Sequence, residues 1–457
     1  MTKMATRRRL RQLLWLYFWL LIFEGALRKW VLPGLSNPLL LVRDPIALLA
    51  VWWGWPLLRQ RRWQIWLQPL LWIGSLGALL AVAVGHGDLF TAVYGARVFL
   101  VQLPLIFVFA AVFDRSDVLR FAWVLLWLSI PMTLLLATQS GLPDSHFLNV
   151  GPGGFGTAAF EGALGRSRPP GTFTFVNGVV SFYSLAAASL FMVLYGSKVR
   201  QRGRLFSMVA GIALVVALPV SISRSLLAGY LLVLVALIAT LLIARVRILP
   251  LVSGLFAVLI AFGLATTLPA FQDTSAAFLA RWEGAGAASG ADRQEVGDAG
   301  IVANQLQNRV LPGFTQPLNS LDRIPLLGYG IGMGSNVGAQ RLGAGTGFLL
   351  GEGGWEVSLG ELGPVLGLLF IFWRVALAFW MLRVALRAAS RGNRLPLILV
   401  GASFLDVMSS QLSQPTGLGF MVLSGGLTLA ACNPSPTRPP LRVQIIQASG
   451  SSLVPSQ

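Results

Sequence analysis

The sequence predicts an all-α polytopic membrane protein of about 12 transmembrane helices, with a long external loop between helices nine and ten. Three observations carry that prediction. Hydrophobic residues make up 55% of the 457 positions and charged residues only 11%, far from the balance of a water-soluble domain. The apolar residues fall in runs of about 18 to 22, each long enough to cross a ~30 Å hydrocarbon core as a helix. The strands of a β-barrel would alternate polar and apolar residues in short segments, and these runs do not.

Taken in order, the charges between the runs assign each span a direction. Span one (12–27) follows Lys3, Arg7, Arg8, Arg9 and Arg11, which hold its start in the cytoplasm. No small-residue cleavage site follows it, so it reads as an uncleaved helix and not a signal peptide. Span two (39–58) returns to Arg59, Arg61 and Arg62. Span three (65–84) goes out again, and span four (91–112) comes back to Arg115 and Arg120. Spans five (119–138) and six (173–195) repeat the excursion and end before Lys198, Arg200, Arg202 and Arg204. Spans seven (205–222) and eight (225–243) form a hairpin with almost no linker, closing on Arg245 and Arg247. Span nine (248–268) leads into the external loop, 269–357. Span ten (358–382) then meets Arg383, Arg387, Arg391 and Arg394, and spans eleven (395–412) and twelve (416–432) end before Arg438 and Arg442. Residues 1–432 thus form one transmembrane domain, and the Pro-, Ser- and Gln-rich stretch 433–457 a flexible cytoplasmic tail.

The cytoplasmic pieces hold 22 of the 35 basic residues but only Asp114 and Asp117 of the 17 acidic ones, leaving 13 basic and 15 acidic elsewhere. The net charge of +18 is therefore a record of topology, with both termini inside, and not a nucleic-acid footprint. Cys432 is the only cysteine, and His86 and His146 the only histidines. An intrachain disulfide is excluded, and a thiolate or zinc cluster is not expected.

The external pieces hold the candidate functional residues. Between spans one and two, Glu24 and Arg28 are spaced i,i+4 and can pair on a helix, which softens the cost of Glu24 near the apolar zone. Two readings stand there: an interfacial anchor in which Arg28 and Lys29 snorkel beside Trp30, or a part in substrate binding. Gly85-His86-Gly-Asp88 reads as a short turn and no more. The loop over 139–170 carries His146, a glycine-rich patch at 151–156, Glu161, Arg166 and Arg168, but the patch lacks P-loop spacing. In Ser221-Ile-Ser223-Arg224-Ser225, Arg224 must lie at the external membrane boundary. It is either a snorkelling cap on the hairpin or a holder of diphosphate through charge-assisted hydrogen bonds. Arg97, near the external end of span four, and Arg374, deeper in span ten, each require the bundle interior or a polar cavity. Arg97 is the site candidate by depth. Arg374 reads as lying toward the cytoplasmic half, where pairing, for example with Asp406, or inward snorkelling would suit it.

Four local patterns, in this order and placement, resemble the O-antigen ligase and polymerase superfamily, bacterial membrane glycosyltransferases of the GT-C type. Arg168-Pro-Pro-Gly-Thr-Phe-Thr-Phe-Val-Asn-Gly resembles the family's Arg-x-x-Gly-Thr-Phe segment entering a helix. Ser223-Arg224-Ser225 resembles its Ser-Arg-small motif. Pro325-Leu-Leu-Gly-Tyr-Gly-Ile-Gly resembles the Pro-x-x-Gly-x-Gly stretch of its long loop. Glu361-Leu-Gly-Pro-Val-Leu-Gly resembles the Glu-x-Gly-x-x-Gly that opens the next span. Ligases of the superfamily carry a His-Asn pair shortly before that glutamate. Here the region reads Gly351-Glu352-Gly-Gly-Trp355-Glu356 and has no histidine, which favours a polymerase.

The resemblance implies a donor glycan on a polyprenyl diphosphate at the external face of the bacterial inner membrane, for surface polysaccharide or O-antigen synthesis. Neither nucleotide sugars nor ATP are available there, so the donor arrives preactivated. Fixed guanidinium groups can stabilise the departing diphosphate without metal or cofactor, and Arg224, Arg281 and Arg168 are the candidates. For the acceptor hydroxyl, Glu356 or Glu352 is the candidate base, with Trp355 as an apolar neighbour that would raise its pKa. Glu361 is a third carboxylate candidate, whose place at a helix N-terminus would favour its charged form. Arg97, Trp355 and Tyr329 are candidates for further substrate contacts. The expected partners are the lipid-linked donor and acceptor, membrane lipids, and a chain-length regulator or flippase of the same pathway. The competing class is a transporter or flippase of such lipids, which would need a polar central cavity and often two related halves. No half-to-half similarity is evident.

Overall fold

The computed structural model describes residues 3–154, 161–163, 166–196, 201–245, 276, 312–319, 321–343 and 353–434. The expected span 248–268, Arg281 and Glu352 lie outside them, as does the tail from 435 on. The described chain is a helical bundle: α1 (Lys3–Ala26), α2 (Ser36–Leu39), α3 (Asp44–Leu58), α4 (Arg61–Ala83), α5 (Leu89–Arg97), α6 (Leu105–Val112) and α7 (Arg115–Gly141) come first. Then follow α8 (Val176–Gly196), α9 (Gln201–Val220), α10 (Arg224–Ile243), α11 (Pro312–Asn319), α12 (Asn336–Leu342), α13 (Gly354–Ser390), α14 (Leu395–Ser409) and α15 (Pro415–Ala430). A small antiparallel hairpin, β1 (Glu161–Ala163) with β2 (Arg166–Ser167), interrupts the helices.

Among the described residues nine helical stretches are long and apolar enough to cross a membrane, and α14 and α15 are apolar but shorter. The protein is thus an all-α polytopic membrane protein. Large apolar side chains such as Trp52, Trp72, Trp127 and Phe372 are exposed because lipid, not water, is their expected solvent. Inward-facing rings lock the helices instead. Trp15 of α1 stacks on Phe121 of α7 with centroids 3.8 Å apart, and Phe18 meets the same ring edge-on. Gly426 lets α15 close on Phe109 of α6, where a Cβ would lie 2.5 Å from the Phe109 Cβ. Small residues at helix contacts are what close packing in lipid requires.

The bundle has two distinct ends. One gathers basic residues expected to be cytoplasmic: Arg11 pairs with Asp114 and Asp117 at 3.4 and 2.8 Å, and Asp114 caps α7 in a capping box. At this end Arg115 donates to the Gly196 carbonyl and Arg394 to that of Tyr195. The other end carries the α4–α5 turn, the succession of turns over 325–335, the start of α13 and the α14–α15 link.

Three expectations change at that second end. Arg28 and Lys29 do not snorkel. Both are buried, Arg28 Nε donating to the Ser36 carbonyl at 2.8 Å and Lys29 Nζ to that of Gly171 at 2.6 Å. Satisfying these donors inside the fold avoids the reach to water that an anchor needs. Arg374 does not snorkel either. It is 1% exposed, and its guanidinium donates to the Val407 and Asp406 carbonyls at 2.9 and 3.0 Å and to Ser410 Oγ at 3.3 Å. An arginine at mid-helix in lipid costs about 2.5–3.5 kcal/mol on insertion scales; hydrogen bonds of a charged donor, roughly 1.5–3 kcal/mol each, offset that. Its partner is therefore the C-terminal end of α14, where the Asp406 carbonyl also accepts from the Ser410 amide at 3.1 Å.

The third change concerns α13. It begins at Gly354, not 358, and contains a break at Gly363 (φ 75°, ψ 171°) followed by Pro364. A left-handed φ suits glycine, and proline both lacks the N–H and pre-sets the φ of a new first turn. A lead-in helix over 354–362 thus precedes the long one. Glu361 stands two turns from the N-terminus of that lead-in, so the dipole argument for its charge does not apply.

Candidate active-site cleft

At the second end, α13's lead-in helix, α5 and the α14–α15 link surround a small cleft that is partly open to solvent. Its polar lining is Tyr94, Arg97, Ser335, Ser358, Glu361 and Ser413. Val98, Phe99, Val357, Phe370 and Leu412 supply the apolar wall. Helical periodicity explains the choice of residues. Gly354, Val357, Ser358 and Glu361 fall on one face at i, i+3, i+4 and i+7, whereas Glu356 lies on the opposite face and is exposed.

Arg97 is held from two sides. Its Nη1 donates to both oxygens of Asp44, at 2.9 and 2.7 Å, and its Nε to the Tyr94 carbonyl at 3.0 Å. The guanidinium also lies 3.9 Å from the Tyr94 ring centroid, within cation–π range. Asp44 in turn accepts from Gln102 Nε2 at 2.5 Å, and Gln102 Oε1 accepts from Tyr17 at 2.8 Å. A line of polar groups therefore runs from the core to the cleft. Next to it, Glu24 accepts from Arg43 Nε at 2.6 Å and lies 3.6 Å from Arg28, while Arg43 Nη2 donates to the Pro415 carbonyl at 2.7 Å. The i,i+4 pair expected from sequence is present, but the shorter partner of Glu24 is Arg43, at the N-cap of α3.

Glu361 organises the glycine stretch. Its Oε1 accepts from the Gly332 and Gly334 amides at 3.1 and 2.8 Å, and the Tyr329 and Gly330 amides donate to the Gly360 and Glu361 carbonyls at 2.8 and 3.0 Å. Gly328 and Gly332 take φ of 72° and 89°, and a side chain on Gly328 would meet the backbone of 361–363. The glycine spacing thus serves a ribbon pressed against α13, α4 and α5, not a phosphate cradle.

Two further pins hold that ribbon, and sequence reading passed over both. His86 Nδ1 accepts from the Asp88 amide at 3.0 Å, which leaves Nε2–H to donate to the Ile331 carbonyl at 3.1 Å. Arg341 on α12 donates to both carboxylate oxygens of Asp88 at 2.9 and 3.1 Å and lies 4.9 Å from the Phe90 ring centroid. Hydrogen bonds from Arg341 and from Thr91 hold the Asp88 carboxyl below its ordinary range, and the same pairing raises Arg341. The signal was the pair of histidine and aspartate flanking glycines in a turn, whose partner 253 residues away no local pattern reveals.

The cleft brings together Arg97 and Glu361 of the sequence candidates. Tyr329 is half-buried on the ribbon beside them, and Trp355 Nε1 donates to the Met408 carbonyl at 2.9 Å, which anchors the lead-in helix to α14. Arg224 is half-buried as the first residue of α10, and Arg168 is half-buried ahead of α8; neither lines the cleft. Among the described residues no group of three or more His, Cys, Asp or Glu is arranged to hold a metal. Comparison of the chain with protein-family models, curated proteins and solved structures finds no match.

Proposed function

We propose that the protein is a membrane glycosyltransferase that polymerises polyprenyl-diphosphate-linked oligosaccharide units at the external face of the bacterial inner membrane. The observation that supports this reading is the convergence of Arg97 and Glu361 on one cleft at the end of the bundle opposite the basic end. Glu361 is borne by the Glu-x-Gly segment, and the Pro-x-x-Gly-x-Gly ribbon covers it. In the reaction an acceptor hydroxyl attacks the anomeric carbon, the C–O bond to the diphosphate breaks, and the proton passes to a carboxylate. Glu361 takes that role in preference to Glu356, because it faces the cleft and Glu356 does not. Arg224, Arg168 and Arg281 receive the charge that develops on the departing polyprenyl diphosphate.

The experiment is incubation of the purified protein in liposomes with a lipid-linked oligosaccharide. Glycan elongation in the absence of added divalent cation is the expected result. Movement of the lipid across the bilayer with unchanged glycan length would instead make the protein a transporter.

A further inference from the structure

The cleft's charge balance defines what it accepts. The positive charge of Arg97 is matched by Asp44 at 2.7 Å, whereas Glu361 has no cation within ion-pair distance among the described residues. The polar lining therefore carries one carboxyl group with no counter-cation. Three groups keep hydrogen-bonding capacity that no described residue uses: Arg97 Nη2, Glu361 Oε2 and the Ser413 hydroxyl. They comprise a donor-only edge, an acceptor-only oxygen and a group that does both. Ser358 Oγ donates to the Gly354 carbonyl at 2.7 Å and retains acceptor capacity.

A diphosphate or a sugar carboxylate would meet Glu361 with its nearest cation already neutralised, and an ammonium would meet the Arg97 edge. A hydroxyl suits both groups, because it accepts from the guanidinium and donates to the carboxylate. Adjacent hydroxyls on one ring suit all three groups at once, with Phe370, Val98 and Leu412 against the ring's C–H face. From these facts we infer that the cleft is a subsite for an uncharged sugar ring. Under the proposed transfer reaction, on which its assignment as acceptor subsite rests, the diphosphate is bound elsewhere.

The test uses saturation-transfer NMR on the full-length protein in nanodiscs. The probes are neutral methyl glycosides (a hexoside, a 6-deoxyhexoside and an N-acetylhexosaminide), methyl glucuronide and inorganic pyrophosphate. At least one neutral glycoside should bind, undisplaced by glucuronide or pyrophosphate. Glu361→Gln keeps an acceptor for the two glycine amides but replaces the free oxygen with a donor, and should weaken that binding about tenfold or more. Ser413→Ala, which removes no bond within the described fold, should weaken it in the same direction and guards against misfolding of the first variant. No neutral glycoside bound, displacement by pyrophosphate or glucuronide, or unchanged affinity in both variants would overturn the inference. Binding without glycan elongation in the liposome assay leaves the subsite standing and removes the transferase reading. Elongation without neutral-glycoside binding does the reverse.

Discussion

Single residues at the cleft end of the bundle are fixed by the need to pair every polar group that lipid surrounds. Arg374 is the clearest case, since its removal leaves the Val407 carbonyl and the Ser410 hydroxyl without the guanidinium donor. Arg374→Met should lower unfolding free energy by about 3 kcal/mol, measured by denaturant titration in mild detergent. A loss below about 0.5 kcal/mol would show that water or lipid substitutes for the guanidinium. Arg374 was legible as an oddity, because an arginine within an apolar run must be paired. Its partner was not legible, since backbone carbonyls are not written in a sequence. The same limit hid Asp44 as the partner of Arg97, 53 positions away. Glu24 shows the opposite, its i,i+4 neighbour being visible and its closer one, Arg43, not.

At the scale of elements, the ribbon of 325–335 and α12 behave as one cover with three pins: Glu361, His86 and the Asp88–Arg341 pair. The last pin is solvent-exposed, so it should be screened by salt and contribute little to global stability. Its local effect should be plain. Asp88→Asn is expected to raise amide hydrogen exchange over 328–343 while leaving α13 beyond Pro364 unchanged; equal protection in variant and wild type would remove the pin. Asp88 has a folded-state pKa below its unfolded value of about 3.9. The tether is therefore complete above that value and is lost only as pH falls through the lower folded one. Exchange over 328–343 should be insensitive to this pair between about pH 5 and 8. The glycine pattern of the ribbon was readable as a special backbone, but not what it pressed against. Likewise α14 and α15, read as full spans, are about 22 and 24 Å long at 1.5 Å per residue. Those lengths are short of a ~30 Å core, and the cleft reaches Leu412 and Ser413 on their link.

For the whole molecule, hydropathy and charge sufficed for the class, because lipid imposes both on every helix at once. They also predict direction, and labelling in intact cells checks it. The native Cys432 is partly buried, with its Sγ donating to the Thr428 carbonyl at 3.6 Å, so it gives a low labelling background. Against that background, Gln340→Cys on the exposed face of α12 should react with a membrane-impermeant maleimide, and Arg391→Cys at the basic end should not. The reverse pattern would invert the protein and place the cleft in the cytoplasm, where the proposed chemistry has no reason to avoid nucleotide donors. The most direct test of the account is glycan length after incubation of lipid-linked oligosaccharide with purified wild type and Glu361→Gln at equal protein. The wild type should give a ladder of longer lipid-linked chains and the variant a rate lower by about 10²-fold or more; no ladder from the wild type, or an equal ladder from both, would contradict the proposed transfer.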